Sequence, residues 1–204
     1  MEKKGLLIVV SGPSGAGKGT ICKEFLNNND SVKISVSATT RKPRDGELNG
    51  VNYFFISKDK FKTMIEDNEF LEYARVYDNF YGTPKSSVLE SLEKGDDVLL
   101  EIDIQGAKQI KEVYPEGVFV FILPPSLQEL KSRIVGRGTE TIEDIEKRFG
   151  SAFKEIQQIE HYNYFIMNND VKTSSRELSN IISAEKDKVE RYKEYIIQMF
   201  KEEL

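Results

Sequence analysis

Leu6–Val10 is an unbroken apolar run that ends at Ser11-Gly12-Pro13. It is too short for a core helix and shows no polar alternation, so it predicts a strand covered on both faces. Val98-Leu99-Leu100-Glu101-Ile102 and Val118–Leu123 repeat the pattern, the second stopped by Pro124-Pro125, and Tyr164–Met167 reads as a further short strand. Helical signals fall between them. Residues from about 18 to 26 predict a helix closed by Asn27-Asn28-Asn29, and Ser126-Leu127-Gln128-Glu129 is a capping box opening another. Ser174-Ser175-Arg176-Glu177 predicts the start of one long terminal helix, with Leu178, Ile181, Ile182, Val189, Tyr192 and Ile196 along one face and a solvated face of Lys and Glu. Strands alternating with helices predict an α/β fold, a three-layer core around a parallel sheet.

Two segments interrupt the alternation. From about 37 to 92 the chain turns aromatic, with short alternating runs at Val51-Asn52-Tyr53-Phe54-Phe55-Ile56 and Phe70-Leu71-Glu72-Tyr73-Ala74 and a tight turn at Asp78-Asn79. This predicts a small antiparallel lobe inserted into the core. From about 136 to 153, Gly136-Arg137-Gly138 gives an arginine a flexible mount and leads into a helix capped by Thr141 and Asp144. The expected organisation is a single domain over 1–204. Its core comprises 1–34, 93–125 and 154–204, with a lobe at about 35–92 and a helical lid at about 126–153.

The stretch behind the first strand carries the chemistry. Gly12-Pro13-Ser14-Gly15-Ala16-Gly17-Lys18-Gly19-Thr20 is a glycine-rich turn between a buried strand and a helix, which is how a P-loop phosphate cradle is built. Glycines let backbone N–H groups face an anion unobstructed, the helix presents its positive end, and Lys18 reaches the outer phosphates. The motif G-x-x-x-x-G-K-[ST] holds from Gly12 through Lys18, but Gly19 stands where a magnesium-binding hydroxyl is expected, and the hydroxyl follows at Thr20.

Composition narrows the partners. The net charge of −5 argues against nonspecific nucleic-acid binding, so clustered arginines need a smaller anion to explain them. One cysteine, Cys22, permits no internal disulfide and fits a small buried residue in a reducing compartment. No stretch is long and apolar enough for a signal segment or membrane span, so a cytoplasmic location is expected. The single His161 has no nucleophile or ligand set around it in sequence and reads as structural or surface. Arg41 and Arg44, in Ser35-Val36-Ser37-Ala38-Thr39-Thr40-Arg41-Lys42-Pro43-Arg44, form a fork-shaped anion site, and Arg133, Arg137 and Arg148 add cations near the mobile glycines. Phosphoryl transfer between two nucleotides calls for such groups, because charge spreads over the transferred group and is met from several sides.

These blocks resemble the guanylate kinase family. The resemblance rests on residues 37–54, Glu69-Phe70-Leu71-Glu72, Tyr81-Gly82-Thr83, Glu101-Ile102-Asp103-Ile104-Gln105-Gly106 and Gly136-Arg137-Gly138-Thr139-Glu140, and spans nearly the whole chain. It implies an enzyme that transfers the γ-phosphate of ATP to GMP, and to dGMP, with Mg²⁺ as cofactor. ATP would take the Gly12–Thr20 loop, with Asn168 at the adenine edge. Glu72 would bind guanine, whose N1–H and amino group suit a carboxylate where adenine offers a lone pair. The hydroxyls of Ser37 and Thr83 would meet the base's other edge, with Gly82 also in the GMP site. Arg41, Arg44, Tyr53 and Tyr81 would hold the GMP phosphate, and Arg133, Arg137 and Arg148 would close over the triphosphate. Glu101 and Asp103 follow an apolar strand at the sheet's carboxyl edge; by resemblance Asp103 lies near the guanine or the magnesium water shell. Magnesium would be held by Thr20 or by ordered waters.

Two other functions compete. A guanylate-kinase-like scaffold module would bind phosphopeptides, but such modules lose the glycine loop, which is intact here. A relative using AMP or a ribosyl phosphate as acceptor would lack a reason for Glu72 with Thr83.

Overall fold

The computed structural model describes residues 4–76, 78–135 and 142–202, with backbone alone over 142–148. Five parallel strands form the central sheet: β1 (Leu7–Ser11), β2 (Val32–Ile34), β7 (Asp97–Glu101), β8 (Val118–Leu123) and β9 (Tyr164–Met167), ordered β2-β7-β1-β8-β9. β1 lies in the middle with every residue buried, which is why its sequence is uniformly apolar. Its side chains still alternate between two layers. Ile8 and Val10 join Ile21, Cys22 and Phe25 of α1 (Lys18–Asn27) and Leu178 and Ile182 of α7 (Val171–Lys186). Leu7 and Val9 join Val88 and Leu92 of α3 (Lys85–Glu93) and Ala107 and Ile110 of α4 (Ile104–Val113). Each large side chain buried this way contributes about 1.5–3 kcal/mol. The three-layer arrangement predicted from the alternation is therefore what the sheet requires.

A second sheet carries β3 (Ala38–Thr39), β4 (Phe54–Phe55), β5 (Phe70–Val76) and β6 (Asn79–Pro84), ordered β4-β3-β6-β5. It is antiparallel along β3–β6–β5, while β4 adds to its edge in parallel with β3. Where the sequence predicts only strands, the lobe also holds α2 (Lys58–Glu66). Ser57 caps it by accepting from Lys60 N–H (3.1 Å), and Phe61, fully buried, stacks on Phe70 at 4.5 Å between ring centres. The 3.6-residue spacing of Phe61, Met64 and Ile65 is the helix signal, obscured by the neighbouring aromatic runs. α3 follows β6 directly and buries Val88 and Leu92 on the parallel sheet rather than on the lobe.

The predicted single terminal helix is two. α7 begins at Val171, capped by Asp170 accepting from Thr173 N–H (2.8 Å), and ends at Lys186; α8 (Val189–Lys201) follows after Lys188 in extended backbone. The cause is tertiary. Lys186 pairs with the buried Asp97 at the sheet's amino edge, and the buried Glu185 accepts from Tyr164 OH and pairs with Lys188 (2.7 Å). These ties fix the last turn of α7, and beyond them α8 buries no residue, so Val189 and Ile196 are exposed instead of continuing the Leu178 face. α5 (Leu127–Val135) opens at Ser126, whose hydroxyl accepts from Glu129 N–H (3.0 Å) as the capping box predicts. α6 (Ile142–Ile156) runs into a 3₁₀ turn at Gln157–His161. Thr141 and its capping role, Arg137 and its glycine mount, and the side chains of Asp144 and Arg148 lie outside the described residues.

Candidate functional site

The loop joining β1 to α1 is shaped by close backbone approaches. Gly12 sits at φ +147°, and a Cβ there would stand 2.3 Å from the Ile122 carbonyl oxygen. Gly17 caps α1 in the left-handed region, where a Cβ would stand 2.3 Å from Asn168 Nδ2. No side chain caps α1, so its first N–H groups remain directed at the loop's interior. Pro13, Gly15 and Ala16 complete a buried loop wall. Lys18 curls back over the loop, Nζ donating to the carbonyls of Gly12 (2.7 Å) and Pro13 (3.2 Å). Removal from water lowers its pKa, and the Glu101 and Glu155 carboxylates oppose that fall.

Behind the loop, Asn168 is buried and donates from Nδ2 to the Ala16 carbonyl (2.8 Å). Arg133 pairs with Glu129 (2.8 Å) and donates to the carbonyls of Asn168 (3.1 Å) and Ala16 (3.5 Å). Both residues therefore brace the loop from α5 and the end of β9. In front of it, Glu155 of α6 accepts from the Ser14 N–H (3.2 Å) and is itself held by the Ser151 hydroxyl (3.1 Å). A carboxylate thus takes one of the loop's anion-seeking N–H groups.

Across the cleft stands the lobe. Register sets Glu72 of β5 opposite Thr83 of β6, and the Thr83 hydroxyl donates to Glu72 Oε1 (2.6 Å). The other oxygen lies against α4: a Cβ on Gly106 would fall 2.4 Å from Glu72 Oε2. Asp103 caps α4 by accepting from Gly106 N–H (2.8 Å), which holds that backbone in place beside Glu72. Burial pushes the Glu72 pKa up to about 7; the nearby Asp103 charge adds to the rise and the Thr83 hydroxyl opposes it. Gly82, also buried, lies under the Phe70 ring.

Farther along the lobe, Arg41 is gripped end-on by Glu47, Nη1 to Oε2 at 2.8 Å and Nη2 to Oε1 at 3.0 Å. Its guanidinium also lies over Tyr53 (5.4 Å) and Phe55 (5.6 Å), and the Tyr53 and Tyr81 rings meet edge to face at 5.9 Å. The ion pair raises the Arg41 pKa and lowers that of Glu47 to about 2. Arg44 is exposed beside this cluster, and its backbone N–H donates to Glu47 (2.7 Å).

A cleft of about 710 Å³ joins the two sides. It brings together Gly12, Ser14 and Lys18, the lobe's Ser37, Tyr53, Glu72 and Tyr81, and Glu101 and Asp103 on the floor. Arg133 and Asn168 stand behind the loop, and Thr20 is exposed on the first turn of α1. Sequence reasoning misses Glu47, Ser151, Lys154 and Glu155. Glu47 carries a local signal, three residues after Arg44, but Glu155 meets Ser14 across 141 positions and carries none. A second cavity, of about 920 Å³, opens at the amino edge of the sheet. It mixes Lys4, Lys188 and Arg191 with Glu116, Glu185 and Glu190, so no charge sign selects a ligand there.

A family model described as guanylate kinase matches residues 4–185. The guanylate kinase of Clostridioides difficile is 72% identical over 202 residues, covering 99% of this chain and 98% of its own. That of Clostridium tetani is 58% identical over 195 residues, covering 96% and 93%. The crystal structure of guanylate kinase from Anaplasma phagocytophilum superposes with a TM-score of 0.79 at 34% identity, covering 94% of this chain and 91% of that one.

Proposed function

The chain belongs to the guanylate kinase family and transfers the γ-phosphoryl group of ATP to GMP, giving ADP and GDP; we propose that the cleft between loop and lobe is where it does so. The observation that carries this reading is the opposition of two unlike sites. Lys18 and the open amino end of α1 suit a polyphosphate, while the buried Glu72 facing them suits a base that donates two hydrogen bonds.

ATP then lies in the Gly12–Thr20 loop and GMP, or dGMP, in the lobe over 35–92. Glu72 accepts from guanine N1–H and the amino group, and Ser37 and Thr83 frame the base. Arg41, Arg44, Tyr53 and Tyr81 hold the acceptor phosphate through guanidinium and phenol donors. A phosphate oxygen is already an anionic nucleophile, so its in-line attack needs no general base. What the protein supplies is alignment, exclusion of water and charge neutralisation. Lys18 leaves its loop carbonyls for the transferred group's oxygens. Arg137 and Arg148 of the 126–153 segment are proposed to add charge from the lid side, and Arg133 and Asn168 to support the loop at the adenine end.

Magnesium fits this chemistry. A Cβ on Gly19 would stand 3.2 Å from Glu101 Oε1, so a hard carboxylate oxygen lies beside the position that lacks a hydroxyl. Glu101 would hold the ion with Thr20 and water, and the charge it would supply neutralises the triphosphate. No helix among the described residues is long and apolar enough to cross a membrane.

The test is a coupled ADP-release assay with GMP, dGMP, AMP and UMP side by side. GMP and dGMP are expected to turn over and AMP and UMP to lag far behind. Equal turnover of AMP and GMP would overturn the role given to Glu72.

A further inference from the structure

We propose that Glu47 is a positioning residue for the acceptor phosphate, holding the Arg41 guanidinium and the Arg44 backbone in one receiving geometry before the nucleotide arrives. The inference rests on the acceptor reading given above, and the geometry takes it further. A guanidinium has five N–H groups. Glu47 takes two of Arg41's end-on, and the Lys42 carbonyl takes a third at 2.8 Å. That leaves two for a phosphate. The same Glu47 oxygen that meets Nη1 also accepts the Arg44 N–H at 2.7 Å, so one carboxylate sets the spacing of both arginines.

Exposed ion pairs usually contribute little, because two long side chains must be frozen for a screened attraction. This pair differs in three respects. It is two-pronged, its side chains are only 15% and 18% exposed, and the guanidinium is also seated on the Tyr53 and Phe55 rings. A freely rotating arginine would have to be ordered by each arriving phosphate, whereas here that ordering is already complete. The carboxyl is held well below the usual carboxylate range by Arg41 and the Arg44 N–H, so the grip persists throughout the neutral pH range.

Glu47→Gln keeps the size and removes the charge. Its binding of GMP and of guanosine is measured by calorimetry, with KM for both substrates and melting temperature alongside. We expect GMP affinity to fall about 10- to 100-fold, the range for losing hydrogen bonds to a charged group. Guanosine affinity and KM for ATP should stay at wild-type values, while the melting temperature falls by no more than a few degrees, the cost of a single shielded ion pair. In an Arg41→Gln background the further loss from E47Q should nearly vanish. Unchanged GMP affinity would overturn the proposal. So would a parallel fall for guanosine and GMP, or full additivity with R41Q. A wild-type protein that binds guanosine as tightly as GMP would remove the acceptor reading itself, and this proposal with it.

Discussion

At the residue scale the site places charge where solvation alone would not tolerate it. Glu72 has a folded pKa near 7 against an ordinary value of 4.5, so the folded protein binds this proton more tightly than the unfolded chain does. The sign follows directly. Below about pH 4.5 the group costs nothing. The cost grows as pH rises from 4.5 to 7 and is complete above 7, where it amounts to about 3 kcal/mol by the conversion of pKa shift into free energy. Glu72→Gln is therefore expected to melt above the wild type at pH 8, with the difference shrinking toward pH 4.5. Its KM for GMP should rise and its base selectivity relax. A variant no more stable at pH 8 would show that the carboxylate is not penalised by burial. In the wild type, a protonated Glu72 loses an acceptor for guanine, so kcat/KM for GMP should fall below pH 7. Lys18 poses the opposite case: its partners in the free protein are carbonyls of a loop built by backbone. Lys18→Ala should leave the melt unchanged and lower turnover about 10²- to 10³-fold, the scale of losing one charge-stabilising donor.

At the element scale, helices deliver backbone and a carboxylate to the cleft beside the cations Lys18, Lys108 and Lys154. Gly106 lies in the first turn of α4, where alanine would by propensity favour the helix by about 1 kcal/mol. Yet a Cβ there would stand 2.4 Å from the Glu72 carboxylate. Gly106→Ala is thus expected to displace Glu72 and raise KM for GMP by at least about tenfold, an ångström-scale misplacement being worth up to 10²-fold. A KM for ATP that rose equally would point to a general defect instead. α6 brings Glu155 to the Ser14 N–H, a group that an ATP phosphate would also seek. Glu155→Gln weakens that internal competitor, so the dissociation constant for ATP, measured without GMP, should drop several-fold. A weaker affinity would mean that Glu155 supports the loop's shape. α5 was legible from its capping box alone, since a serine three residues before a glutamate is a local device. The break between α7 and α8 was not, because its determinants, Asp97 and Tyr164, come from distant strands.

At the scale of the whole molecule, the parallel sheet serves as a rigid base with its carboxyl edge turned to the cleft, and α8 lies at its opposite, amino edge. α8 buries no residue, and its hydrogen bond from Arg191 to the Lys4 carbonyl (2.8 Å) is at the far, amino edge of the sheet. A chain ended at Lys188 is accordingly expected to keep its turnover of GMP and to melt within a few degrees of the full chain, the shift that about 1 kcal/mol produces at this size. A collapse of the cooperative melt would show that α8 completes the core. The sequence by itself determined the strands β1, β7, β8 and β9 and the glycine loop that follows β1. Those features are written in contiguous residues: an apolar run cannot stay in water, and a glycine turn before a helix exposes N–H groups whatever surrounds it. Only the tertiary structure decided that Glu72 is pressed between Thr83 and Gly106, that Glu47 grips Arg41, that Glu155 meets the loop, and that Arg133 and Asn168 stand behind it. Those depend on which distant segments the sheet order makes neighbours, and burial, which sets the charge state of Glu72, exists only once they have met.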